Sequence, residues 1–203
     1  MKATFPLISI FIILSTAIFA QENKQPQASA KNVAVKQSSE NTPEISSTVK
    51  WYTIEEALIL NKTKPKKIMI DVFTDWCGWC KKMDKDAFSH PVIARYLNEY
   101  YYPVKFNAES TAPIDFNGQK FINENTGTRS AHQFASALLK GQMSYPSIAY
   151  FTEKLEYMGA MPGYKTPDQL EVILNFIAHD KFKTTTLEEF QKSFTGQIKP
   201  AMQ

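Results

Sequence analysis

Two cysteines stand among the 203 residues, and only two residues separate them: Trp76-Cys77-Gly78-Trp79-Cys80-Lys81. A thiol attacks as its thiolate. At a helix N-terminus, the first cysteine of a Cys-x-x-Cys pair meets free backbone N–H groups and the positive end of the helix dipole. These lower its pKa from about 8.5 into the range ~3.5–7.5. Two intervening residues also place both sulfurs on one helical turn, close enough to join. By position, Cys77 is the exposed attacker, and Cys80, one turn in, is the thiol that resolves a mixed disulfide.

Other uses of the pair fit less well. Secreted proteins that use cysteines as staples usually carry several, spread apart, and a four-residue loop staples little of a core this size. A lone Cys-x-x-Cys also binds metal, but no second pair is nearby, and His90, His132 and His179 have no ligand spacing. Covalent haem attachment needs histidine after the second cysteine, and Lys81 stands there. Counting alone leaves open a Cys–His hydrolase, which the strand–Cys-x-x-Cys–helix context does not suit. No metal or cofactor is called for.

The elements that must hold the pair follow from local pattern. Thr53 and Glu56 form a capping box before a helix bearing Ile54, Ala57, Leu58 and Ile59. Ile68–Phe73 is a compact apolar run with Asp71 inside it, the pattern of a buried central strand, and the cysteines follow at once. Residues 81–88 read as helix, and Pro91 suits the first turn of a second helix with Val92, Ile93, Tyr96 and Leu97. A second strand spans 101–106. Asn117-Gly118 marks a hairpin, and Ser130 is placed to cap a helix that stops at Gly141. Strands at 147–151 and 155–161, a helix from Pro167, and a short helix at 187–194 after Thr186 complete the order. Alternating helices and strands ending in a hairpin imply an α/β domain: a central mixed β-sheet with helices on both faces.

The chain ends differ from this domain. Lys2 precedes an apolar run from Leu7 to Ile18, and Ala20 offers a small residue for cleavage. That is the pattern of a signal peptide over residues 1–20, since spanning a bilayer takes roughly 20 apolar residues. Its removal would leave a formal charge of +2 in place of +3. Residues 21–48 are rich in Gln, Asn, Ser, Lys and Pro and read as a disordered linker. The folded domain is expected over 49–183, with a C-terminal helix and tail at 184–203. The small net charge and interspersed basic residues argue against a nucleic-acid partner.

Residues from about 50 to 180 resemble the thioredoxin superfamily, in the branch of exported thioredoxin-like proteins with an enlarged middle segment. The resemblance rests on Val72-Phe73-Thr74-Asp75-Trp76-Cys77-Gly78-Trp79-Cys80-Lys81-Lys82-Met83 and on Tyr145-Pro146. It implies the thioredoxin-like fold and further roles. Pro146 matches the cis-proline that faces the disulfide and contacts substrate backbone. Asp71 matches a buried acid that accepts the Cys80 proton, and Lys105 matches the lysine beside it. Trp76, Gly78, Trp79 and Tyr145 would form the substrate surface with Pro146. Trp79 departs from the Pro or His common at its position, and the insert at about 109–141 either borders the site or covers a sheet edge. His132, inside it, reads as a structural rather than a catalytic histidine.

The function implied is an exported thiol–disulfide oxidoreductase, acting as a monomer on protein thiols and disulfides with a membrane-bound electron donor or acceptor. The periplasm is the preferred location, with the extracellular space as the other. A different class is a non-catalytic module that binds peptides or partners through its exposed aromatics. A narrower one is a copper- or haem-maturation factor that reduces apoprotein cysteines.

Overall fold

The structure is a computed structural model that describes residues 47–199. The predicted signal peptide and all but the last two residues of the linker lie outside the described residues. So do residues 200–203.

Thr53 opens α1 (Ile54–Thr63) with both arms of the capping box formed. β1 (Lys67–Phe73) follows and leads into α2 (Gly78–Met83), a π-helical turn at 84–88, and α3 (Pro91–Tyr100). β2 (Tyr101–Asn107) precedes the insert, which folds as the hairpin β3 (Ile114–Phe116) and β4 (Gln119–Phe121) and then α4 (Gln133–Leu138). β5 (Ser147–Phe151), β6 (Tyr157–Pro162), α5 (Pro167–Ala178), a short 3-10 turn and α6 (Leu187–Ser193) complete the described chain.

Four strands make one mixed sheet in the order β2–β1–β5–β6, with β2 parallel to β1 and the next two pairings antiparallel. β1 is central and buried on both sides because its apolar run feeds two cores. Ile68, Ile70 and Val72 face one core with α1, the hairpin and α4, while Met69 faces the other with α3 and α5. Alternation puts Asp71 on the Met69 face. The fold is thus the expected layered α/β arrangement.

Pairing also brings strand ends together. Phe73 at the end of β1 lies opposite Asn107 at the end of β2, and Val72 lies opposite Ser147 at the start of β5. Ser147 in turn faces Pro162 at the end of β6. The segments carrying Cys77, Glu109, Pro146 and Gly163 therefore all leave the sheet at one edge.

Four local expectations change. The helix predicted from Lys81 starts at Gly78, with Cys77 in the N-cap, and gives way to the π turn at Asp84. The cap of α4 is His132, not Ser130: its Nδ1 accepts the Phe134 N–H at 3.0 Å. The insert does not guard a sheet edge. Ile114, Phe116, Phe134 and Leu138 pack onto a sheet face, where Phe116 and Phe134 meet Phe151 and Phe106 at ring separations of 4.9 and 5.4 Å. The C-terminal residues, set apart in the sequence reading, fold back: the buried Glu171 carboxylate accepts N–H groups of Gln197 and Ile198 at 2.8 and 2.9 Å.

Candidate active site

Cys77 and Cys80 are joined as a disulfide whose Cα atoms are 5.3 Å apart. Cys77 is held by its own N–H, which donates to Thr74 O at 3.1 Å, and its Sγ accepts the Cys80 N–H at 3.0 Å. This bond directs a helix N–H at the first sulfur, the arrangement that favours a thiolate there. The expected difference in exposure is corrected: in the joined state Cys77 is 5% exposed and Cys80 3%. Attack from outside would reach the pair over its rim, which is where the large aromatics lie.

On β1, the strand that leads to the pair, Asp71 is 1% exposed. Burial pushes its carboxyl up to about 6, against the opposing pull of Lys105. Lys105 Nζ donates to Asp71 Oδ2 at 2.7 Å and also pairs with Asp84. The lysine stem runs among rings, with its ammonium 4.9 Å from the Trp51 centroid and 5.2 Å from that of Phe88. Asp71 Oδ1 accepts no hydrogen bond among the described residues. Burial, then the Asp71 charge, pushes the Tyr150 phenol up, so it stays neutral beside the carboxyl.

Around the pair stand two aromatic couples. Trp76 meets Tyr145 edge-on at 6.0 Å, and Trp79 tilts against Tyr164 at 5.5 Å. Trp76 is 48% exposed and Trp79 59%. The Trp76 Nε1 donates to Glu109 at 2.8 Å, and the Arg129 guanidinium sits 4.5 Å over its ring. Tyr164 donates its hydroxyl to Asp86 at 2.9 Å, and Lys82 pairs with the same carboxylate at 2.5 Å. The Tyr145–Pro146 bond is cis, and Pro146 O accepts the Gly163 N–H at 2.7 Å. Burial first, and Glu109 second, push the Tyr145 phenol up to about 12.

Residues 20–197 match the family Thioredox_DsbH, described as a protein of unknown function, DUF255. The chain belongs to that family. Within the matched residues, Cys77 and Cys80 have the Cys-x-x-Cys spacing of the thioredoxin superfamily. Among solved structures, a thioredoxin-fold protein from Helicobacter pylori superposes with a TM-score of 0.51 at 18% identity, covering 63% of this chain and 83% of that one. That likeness establishes the fold. A thiol:disulfide interchange protein DsbD of Vibrio vulnificus is 34% identical over 47 residues, 23% of this chain and 8% of that protein. An uncharacterized protein from Caenorhabditis elegans is 28% identical over 80 residues, 39% of this chain and 11% of that one. The chain therefore aligns with only a small part of either protein's length.

The fold brings most of the sequence-predicted residues of this Thioredox_DsbH chain to one place. Asp71, Trp76, Cys77, Gly78, Trp79 and Cys80 lie on or just after β1, and Tyr145 and Pro146 lie just before β5. Lys105 reaches Asp71 from β2 because the two residues are direct register partners. Sequence reasoning missed Glu109, Arg129 and Asp84. Glu109 had a usable signal: a residue just past a strand parallel to β1 leaves the sheet at the same edge as Trp76. Arg129 and Asp84 had none, since one depends on a loop fold and the other on a π turn.

Proposed function

We propose that this protein is a thiol–disulfide oxidoreductase that exchanges disulfides with protein substrates through Cys77 and Cys80. The observation that carries this reading is the Cys77–Cys80 disulfide at the N-terminus of α2, just after the strand that carries a buried acid whose pKa is raised to about 6. In the dithiol form, the Cys77 thiolate attacks a substrate disulfide. One substrate sulfur leaves as a thiolate, and Cys77 holds the other in a mixed disulfide. Cys80 then gives its proton to Asp71 Oδ1 and attacks Cys77 Sγ. The second substrate sulfur leaves, and the Cys77–Cys80 disulfide returns. The substrate is reduced by two electrons and the pair is oxidised by two; run backwards, the same steps oxidise a substrate dithiol.

Lys105 holds Asp71 in place in this reading, and Trp76, Gly78, Trp79, Tyr145 and Pro146 form the surface that meets the substrate. The name of the Vibrio relative, a thiol:disulfide interchange protein, agrees with exchange chemistry. Export to the periplasm is proposed from the pattern of residues 1–20, with a membrane-bound thiol protein as the electron partner. No helix among the described residues is long and apolar enough to cross a membrane.

Turnover of insulin disulfides by the protein lacking residues 1–20, with a thiol reductant present, tests the reading. Wild type is expected to catalyse reduction, and Cys77→Ser to fall to the uncatalysed rate. Equal activity in the two would remove Cys77 from the chemistry. The exposed Trp76 and Trp79 favour one other reading, a binding module. Partner binding that survives loss of both cysteines, with no exchange activity in wild type, is its signature.

A further inference from the structure

Resting on the exchange reading above, we propose that Arg129 is a substrate-recognition cation of this site, selecting segments with an acidic residue beside the cysteine that exchanges with Cys77. The loop that carries it is built to hold it. Buried Asn123 donates from Nδ2 to Ser110 O at 3.1 Å and Ser130 O at 2.8 Å, and reaches Glu109 O at 3.3 Å. One amide thus ties the start of the insert to the residue after Arg129. Ser130 closes the loop, its hydroxyl accepting the Thr126 N–H and its N–H donating to Gly127 O, both at 3.2 Å. Arg129 itself stands in the left-handed region at φ 62°, a conformation that is strained for a non-glycine residue.

That strained backbone places a guanidinium 4.5 Å above the indole of Trp76, the residue just before Cys77. Stacking occupies the flat face of a guanidinium and leaves the N–H donors at its edge for an anion. Among the described residues Arg129 makes no ion pair or hydrogen bond. Its neighbours differ. Lys105 is paired with Asp71 and Asp84, and Lys82 with Asp86. The carboxylates of this corner are also engaged, Glu109 by the Trp76 indole and Asp75 by Asn107. The chain supplies a fixed cation at the rim of its disulfide, and none of the carboxylates among the described residues pairs with it directly. A carboxylate on an incoming peptide fits that edge in two-point geometry.

The test uses two disulfide-bearing peptides that differ only in Glu or Lys next to the cysteine. Turnover is measured together with affinity from tryptophan fluorescence, for wild type and for Arg129→Ala, Arg129→Lys and Arg129→Glu. Wild type is expected to prefer the Glu peptide by about fivefold at low salt, in KM rather than kcat, and by less at high salt. Arg129→Ala should erase the preference and Arg129→Glu reverse it. Arg129→Lys should keep part of it, having the charge without the planar stack. Equal affinity for both peptides in wild type, or a preference that survives Arg129→Ala, overturns the inference. A preference in affinity without any turnover supports the inference and removes the exchange reading alone.

Discussion

Asp71 carries a conflict that chemistry can use. Lys105 sits on one oxygen, yet desolvation outweighs that partner and leaves the carboxyl at about 6, against an ordinary 3.8. The folded state therefore prefers the protonated acid. That preference contributes stability below about 3.8 and is lost as pH rises through about 6; above it, the ionised group costs up to about 3 kcal/mol. Asp71→Asn removes the cost and leaves Lys105 its pairing with Asp84. At pH 7 the variant is expected to unfold at higher urea than wild type, with the gap closing toward pH 4. In the proposed exchange Asp71 accepts the Cys80 proton, so with the same substitution release of a mixed disulfide should slow and lose its inflection near pH 6. Stopped-flow exchange across pH 5 to 8 checks this. Unchanged resolution kinetics would make Asp71 a strand residue and no more.

The elements divide by how far their causes reach along the chain. β1, the hairpin and the cap at Thr53 were legible because each is written in a few adjacent residues: an apolar run, Asn117-Gly118, a Thr-x-x-Glu box. The reach of Lys105 to Asp71 was legible only through resemblance, since register between parallel strands is set over 34 residues. The π turn at 84–88 and the packing of the insert had no local mark, because both are fixed by what the sheet face offers. His132 shows the difference best. It looked like a structural histidine, and its ring proves to be a two-ended brace. Nδ1 caps α4, and Nε2 bonds Ala112 O at 3.1 Å. Those bonds suit the neutral ring with its proton on Nε2, and burial pushes its pKa down. Its contribution is therefore present above about 6.5 and lost as pH falls through the lower folded value. His132→Ala is expected to cost about 1–2 kcal/mol through the lost cap and to loosen the insert. Hydrogen exchange should show residues 109–141 opening faster at pH 5.5 than at 7.5 in wild type, with the pH dependence gone in the variant.

At the scale of the molecule, two apolar clusters on opposite faces of one sheet carry the fold. A disulfide closing a four-residue loop adds only about 2 kcal/mol by chain entropy, so the fold does not need it. The topology does something else with the pair. It gathers the ends of β1, β2 and β6 and the start of β5 at one edge, and sets the cysteines there among an acid, a lysine and two aromatic couples. A pair so placed is free to open and close while the scaffold stands. Trapping tests this directly. The protein lacking residues 1–20, as Cys80→Ser and as Cys77→Ser, is mixed with a disulfide-bonded substrate protein and resolved by mass under non-reducing conditions. A covalent adduct through Cys77 should accumulate in Cys80→Ser and be absent from Cys77→Ser. No adduct in Cys80→Ser, or equal adducts in both, would mean that Cys77 is not the attacking sulfur.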